Sequence, residues 1–290
     1  MISNIKTRLL KLVHRSLYRP GHYYSPIPDL KKIKQYENSI FDSCKKNIPG
    51  IDLNEEGQKD LLDQFTSFNQ EFPFKNIPQQ NPKLRYYIKN NFFNKSDAFY
   101  LFAFLRKFKP KRVIEVGSGY SSAVILDTNN IFLVNKVEST FIEPYPERLK
   151  SLLKRDDSNF TIIEKKVQYV NPHAFKILEK DDILFIDSSH ISKVGSDLNY
   201  ILFQILPVLK PGVPIHFHDI CFPFEYPKEW VMNGIYWNEA YLLKSFLMFN
   251  NNFEFLIFND FLAIHHHVWL AENINHAKDP GGSLWLRKTS

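Results

Sequence analysis

The chain has 290 residues, a formal net charge of +6, and 44% hydrophobic and 15% aromatic residues; that apolar content supplies a packed core and excludes a disordered chain. Its basic residues are scattered among Asp and Glu with no run of five like charges, so the charge pattern gives no support to nucleic acid as a partner. Cys44 and Cys221 form no CxxC pair, and two isolated thiols fit a reducing cytoplasm better than a disulfide framework.

In chain order, the first segment interrupts its apolar run with Lys6, Arg8, Lys11 and Arg15, which rules out a secretory signal. Ile5, Leu9, Leu12, Val13 and Leu17 recur at helical spacing. They predict a basic amphipathic helix, ended by Pro20-Gly21. Such a helix docks on its own domain or on a partner subunit, which would make a homo-oligomer, and peripheral contact with a membrane surface is the alternative. No stretch reaches the about 18 apolar residues of a transmembrane helix.

Residues 1–95 are rich in Pro, Asn, Tyr and Phe and show no strand–helix alternation. They read as a helical and loop extension, with helices over 29–46 and 55–69, the second capped by Asp52 or Asn54. From 96 to 270 the pattern alternates. A helix spans 96–107, a strand 112–116, a helix 121–128, a strand ending at 141–143, and a helix 146–154. Strands at 160–163 and 183–186 follow, then a helix at 196–208 stopped by Pro211-Gly212, a strand at 213–217 and a helix at 238–249. The runs 253–258 and 261–268, separated by Asn259-Asp260, predict an antiparallel hairpin. His265-His266-His267 falls in the second run and reads as a half-buried strand, not a metal site. The tail, 271–290, reads as a loop and docked end. The sum is an α/β fold, a doubly wound, seven-stranded, mostly parallel sheet with an antiparallel last strand, plus the N-terminal extension.

The densest chemistry lies at predicted strand ends. Glu115-Val116-Gly117-Ser118-Gly119-Tyr120-Ser121-Ser122 joins a buried strand to a helix through glycines, which permits a tight turn and close approach of a ligand to backbone N–H groups. A dinucleotide fingerprint would place Gly or Ala where Ser122 stands. Glu143 lies 26 residues beyond Gly117, near the roughly 20-residue spacing of an acid that accepts ribose hydroxyls. Asp187 and His190 follow the fourth strand, and His216, His218 and Asp219 end or follow the fifth, His216 and His218 on one side by alternation.

Two chemistries suit this last group. His190 or His218 could act as general base, with Asp219 beside it. Alternatively Asp187, His218 and Asp219 could hold a divalent metal that acidifies a substrate hydroxyl. The aromatic segment 222–230 would form a substrate wall, with Glu225, Tyr226 and Trp237 as contacts.

Glu115-x-Gly117-x-Gly119 resembles the first motif of class I S-adenosylmethionine-dependent methyltransferases, with Ser121 where many members carry a third Gly. The segments 23–28, 50–57, 141–148 and 281–287 extend the resemblance to a bacterial, largely uncharacterised group of that class. The resemblance implies a Rossmann-like methyltransferase fold and S-adenosylmethionine as cofactor. It implies Glu115, Gly117, Ser118, Gly119, Glu143 and Asp187 as cofactor-binding residues. His190, His218 and Asp219 are then the catalytic set, acting on an oxygen or nitrogen of a small-molecule or glycan-like acceptor. The competing readings are an NAD(P)-dependent oxidoreductase and a methyltransferase-like module that binds without turnover.

Overall fold

The computed structural model describes residues 17–81 and 83–290; the predicted first helix lies outside them except for Leu17. One sheet of seven strands organises the chain, in the order β3-β2-β1-β4-β5-β7-β6. The strands are β1 (Arg112–Val116), β2 (Glu138–Ile142), β3 (Phe160–Ile163), β4 (Ile183–Ile186), β5 (Pro214–Phe217), β6 (Phe253–Phe258) and β7 (Leu284–Lys288). Strands β1 to β5 are parallel. The inner strands β4 and β5 are buried along their whole length, because helices cover both faces of a parallel sheet. Strand order reverses between β1 and β4, and the crevice at their carboxyl ends is where such sheets hold ligands.

The predicted strands β1, β3 and β4 and the alternation of helices stand as read from the sequence. The carboxyl-terminal topology corrects the expectation. No hairpin follows β6: residues 261–268 fall in helices Asn259–His265 and His267–Asn273, joined by a bend at His266. The last strand comes instead from the segment expected to be a loop. β7 inserts between β5 and β6, antiparallel to both, and buries Trp285 flat against Phe104 at a ring separation of 3.8 Å. Periodicity alone cannot separate a short apolar helix from a strand. The helix is selected by what Asn259 does: its Nδ2 donates to buried Asp97 at 2.9 Å and its N–H to the Ser283 carbonyl at 2.9 Å. Asp97 also accepts from the N–H groups of Gly282 and Ser283, fastening the tail across the sheet.

The extension also differs in detail. Helix Leu30–Gln35 is followed by a separate turn, Glu37–Ile40, and the chain is irregular beyond it. Helix Glu55–Phe65 follows Asn54, which adopts φ +49° and makes no side-chain cap. The Asn54 amide donates to the Phe255 carbonyl, and Gln58 accepts from the Phe258 N–H at 2.8 Å. These bonds tie the extension to the edge strand β6, where covering the edge guards against unwanted pairing. Among the described residues no helix is long and apolar enough to cross a membrane.

Candidate active site

The turn after β1 is fixed from three sides. Gly117 adopts φ +84°, and a Cβ there would lie 1.9 Å from the Asp187 carbonyl oxygen. The chain passes so close because Gly117 N–H donates to Ile142 O at 3.0 Å and Asp187 N–H to Val116 O at 2.8 Å. Only glycine satisfies both the conformation and the contact. Gly119 is extended at φ 173°; its constraint is the Arg148 side chain, 3.2 Å from where a Cβ would sit.

Glu115, expected to touch the cofactor, lies beneath the turn and is fully buried. Its carboxyl accepts from the hydroxyls of Ser121 and Ser122, and Ser122 Oγ accepts from the Gly119 N–H at 3.0 Å. Burial pushes the Glu115 carboxyl up to about 8, against the pull of the two serines. The serines that depart from a third glycine therefore serve as anchors from Glu115 to the first turn of helix Tyr120–Phe132.

A cavity of about 370 Å³ opens at the crevice, lined by Gly117, Glu143, Asp187 and Ser188, and closed by Val167 and Lys193. Glu143 stands at its wall just past β2, accepting from the N–H groups of Ser118 at 3.2 Å and Tyr145 at 2.8 Å. A second cavity of about 500 Å³ is lined by Asp219, Cys221, Glu225, Tyr226, Trp230 and Asp260, with Phe41 and Ser43 from the extension. Glu225 and Tyr226 thus stand where a substrate wall was expected. Trp237 packs against His190 instead, at a ring separation of 4.2 Å.

Between the two cavities runs a polar chain. Asp187 lines the first and Asp219 the second. His190 Nε2 lies 3.4 Å from Asp187 Oδ1 and 3.7 Å from Asp219 Oδ2, while its Nδ1 donates to Glu239 Oε2 at 2.8 Å. Burial opposes a charge on His190, but Asp187 and Glu239 outweigh it and raise its pKa to about 10. The three carboxylates around His190 favour its charged form. Burial likewise works against charge on Asp187, yet His218 and His190 hold it below the ordinary carboxylate range.

His218 is buried, its Nε2 3.6 Å from Asp219 Oδ1 and its Nδ1 without a hydrogen-bond partner among the described residues. Burial disfavours its charge, and Asp219 with Asp187 turns the balance and raises it. Burial raises the Asp219 carboxyl in turn. Phe93 of the extension packs on the His218 ring at 5.2 Å. His216 shares that side of β5, as alternation required, but lies deeper. It stacks on Phe185 at 3.8 Å and pairs with Ser283 Oγ at 3.0 Å. Burial holds it well below its usual range, and so neutral.

No group of three or more His, Cys, Asp or Glu among the described residues is arranged to hold a metal ion. The His190 ring stands between Asp187 and Asp219, at 3.4 and 3.7 Å from their carboxylates. His265, His266 and His267 end one helix and start the next. Four participants were missed in the sequence. Glu239 was read only as part of a helix, although an acid at a helix start facing a strand-end loop was a usable signal. Asp260 was hidden by the expected hairpin. Val167 and Gln168 follow β3 at the ligand-bearing end of the sheet, a position the strand-end rule points to.

The cradle at Gly117 and the Glu143 carboxylate fit an adenosine-bearing cofactor, and comparisons with known proteins say which. A model of the methyltransferase domain matches residues 114–220. An uncharacterized protein of Archaeoglobus fulgidus is 39% identical over 171 residues, 58% of this chain and 76% of that protein. The chain belongs to the class I S-adenosylmethionine-dependent methyltransferases; it is an enzyme whose cofactor is S-adenosylmethionine. Among solved structures, the S-adenosylhomocysteine-bound methyltransferase PaMTH1 of Podospora anserina is similar over 92% of this chain and 99% of that one, at 18% identity and TM-score 0.44. An O-methyltransferase of Bacillus cereus in complex with the same product is similar over 89% and 97%, at 11% identity and TM-score 0.40.

Proposed function

We propose that this enzyme methylates an oxygen or nitrogen of a small-molecule or glycan-like acceptor, with the cofactor in the cavity beside Gly117 and the acceptor in the cavity beside Asp219. One observation carries the reading: Asp187 opens on one cavity, Asp219 on the other, and His190 touches both. Bound S-adenosylmethionine supplies a methyl group already activated by its sulfonium. The protein has only to align the nucleophile and take its proton.

Gly117, Ser118 and Gly119 offer backbone to the methionine portion, and Glu143 accepts the ribose hydroxyls. Asp187 bounds the same cavity. Glu115 supports the turn from below. Asp187 and Glu239 favour the charged form of His190, which suits it to orient Asp187 and Asp219 and to offset their repulsion rather than to take the nucleophile's proton. Asp219 faces the acceptor, and its raised pKa suits it to receive the nucleophile's proton, which His218 Nε2 shares. The two thiols, both free, suit a cytoplasmic enzyme.

His218→Ala tests the assignment. Turnover, followed as S-adenosylhomocysteine release, falls by about 10²-fold or more, while calorimetry shows cofactor affinity within about twofold of wild type. Turnover that survives the substitution removes His218 from the mechanism.

A further inference from the structure

The cavity beside Asp219 has a charge opposite to that of the molecule. The chain as a whole carries +6, yet Asp219, Glu225 and Asp260 all open on this space. Its one lysine, Lys228, is paired with Glu37 at 2.9 Å. Asp260 gives only one oxygen to the protein: Oδ2 accepts from the Phe222 N–H at 2.8 Å, and no described group engages Oδ1. Glu225 accepts from the Tyr226 N–H and from the Tyr241 hydroxyl, which fixes its carboxylate at the wall. Aromatic rings form part of the wall: Tyr226 and Trp230 lie nearly parallel at 6.4 Å, and Phe222 and Phe41 also line the space.

Carboxylates in a recessed, low-dielectric space focus a negative potential, and aromatic faces add attraction for a cation. An anionic acceptor would meet the Glu225 and Asp260 carboxylates, and the one lysine in the lining is already paired. We propose that the acceptor carries a positively charged amine, seated on Asp260 and Glu225 against the Trp230 and Tyr226 rings, with its reacting group at Asp219. The cavity of about 500 Å³ accommodates a ring compound of one or two sugar-sized units. The proposal deepens the reading above, on which it rests for calling this the acceptor cavity.

Cys221 lines the same space and reports its potential directly. In a Cys44→Ser protein it is the one thiol left. Its rate of labelling by a trimethylammonium-ethyl methanethiosulfonate is divided by that for the sulfonatoethyl reagent, and the ratio is normalised to free cysteine in the same buffer. The normalised ratio is expected to exceed one by about tenfold and to fall toward one in the double variant Glu225→Gln, Asp260→Asn. Three pyranoses that differ mainly in charge, glucosamine, glucose and glucuronate, then compete at 100 mM (about 10⁵ times a micromolar protein) with a neutral thiosulfonate. Glucosamine should slow labelling most, and glucuronate least.

A normalised ratio of one or less in the Cys44→Ser protein overturns the proposal whatever the variants do. So does protection by glucuronate equal to that by glucosamine, or no protection by glucosamine. Calorimetry with S-adenosylhomocysteine on the same protein separates the two readings. If the product binds while the ratio is one, only the amine is lost. If it does not bind, the cofactor assignment fails and the measured potential of the cavity stands.

Discussion

Replacing Gly117 by Ala isolates the close approach on which the cofactor cavity depends. The new Cβ would stand 1.9 Å from the Asp187 carbonyl oxygen and 2.9 Å from its carbon, more than 1 Å inside ordinary contact, so one of the two strand ends must move. Holding Ala at φ +84° costs about 1–2 kcal/mol, and the smaller entropy of the unfolded chain returns about 0.4–1 kcal/mol of that. Displacing a packed strand end adds about 1–3 kcal/mol, for a net loss of about 1–5 kcal/mol. At about 2–4 °C per kcal/mol for a chain of this size, the melting temperature falls by about 2–18 °C, and by about 8 °C at the middle of both ranges. Gly234→Ala is the control: φ is +91° but nothing lies within 4 Å of the added carbon, so the conformational penalty acts alone, at about 1 kcal/mol. Thermal melts of the three proteins, with and without S-adenosylhomocysteine, read both effects. Gly117→Ala should melt well below Gly234→Ala and lose the stabilisation by ligand. Equal melting of the two variants, with ligand stabilisation intact, would refute the geometry.

Glu115→Gln tests the buried anchor through pH. A carboxyl raised from about 4.5 to about 8 on folding supports stability fully below its unfolded value and loses that support as pH climbs toward 8. Urea unfolding at pH 5 and pH 8.5 should therefore show wild type losing several kcal/mol relative to the variant, about 4 kcal/mol at most; parallel behaviour would contradict it. His190 has the same sign over a higher window. Its folded pKa is raised to about 10, so its contribution is complete below about 6.5 and drains away toward pH 10, and Glu239→Gln should flatten that decline. Glu239→Ala, which strips a partner from a buried charge, should cost about 3–5 kcal/mol. Glu143→Gln should weaken S-adenosylhomocysteine binding about tenfold, as expected for one charge-assisted hydrogen bond, with melting temperature nearly unchanged.

The parallel core was legible because its strands are short apolar runs closed by turn residues, and because Gly117 and Gly119 mark a junction that backbone geometry demands. Glu143, Asp187, His190, His218 and Asp219 were legible as a set because each follows or ends a strand on the same side of the sheet. What the pattern could not give was long-range pairing. Residues 261–264 are apolar in succession and fit either period; Asp97, more than 160 residues away in sequence, settles the matter by binding Asn259 and the 282–283 backbone. The same distance hid β7. Electrostatics was the second gap. A histidine near two aspartates reads equally as a base or a metal ligand, and the third carboxylate, Glu239, joins Asp187 in favouring the charged form of His190. Glu115 shows the converse: its place in the motif suggested a ligand contact, but the serines beneath the turn claim both its oxygens.

A crystal structure grown with S-adenosylhomocysteine tests the account most directly. The nucleoside should occupy the cavity beside Gly117 with both ribose hydroxyls on Glu143, and the sulfur should point past Asp187 toward Asp219. Product bound anywhere else, or a Glu143 carboxylate that makes no contact with the ribose at full occupancy, would contradict it.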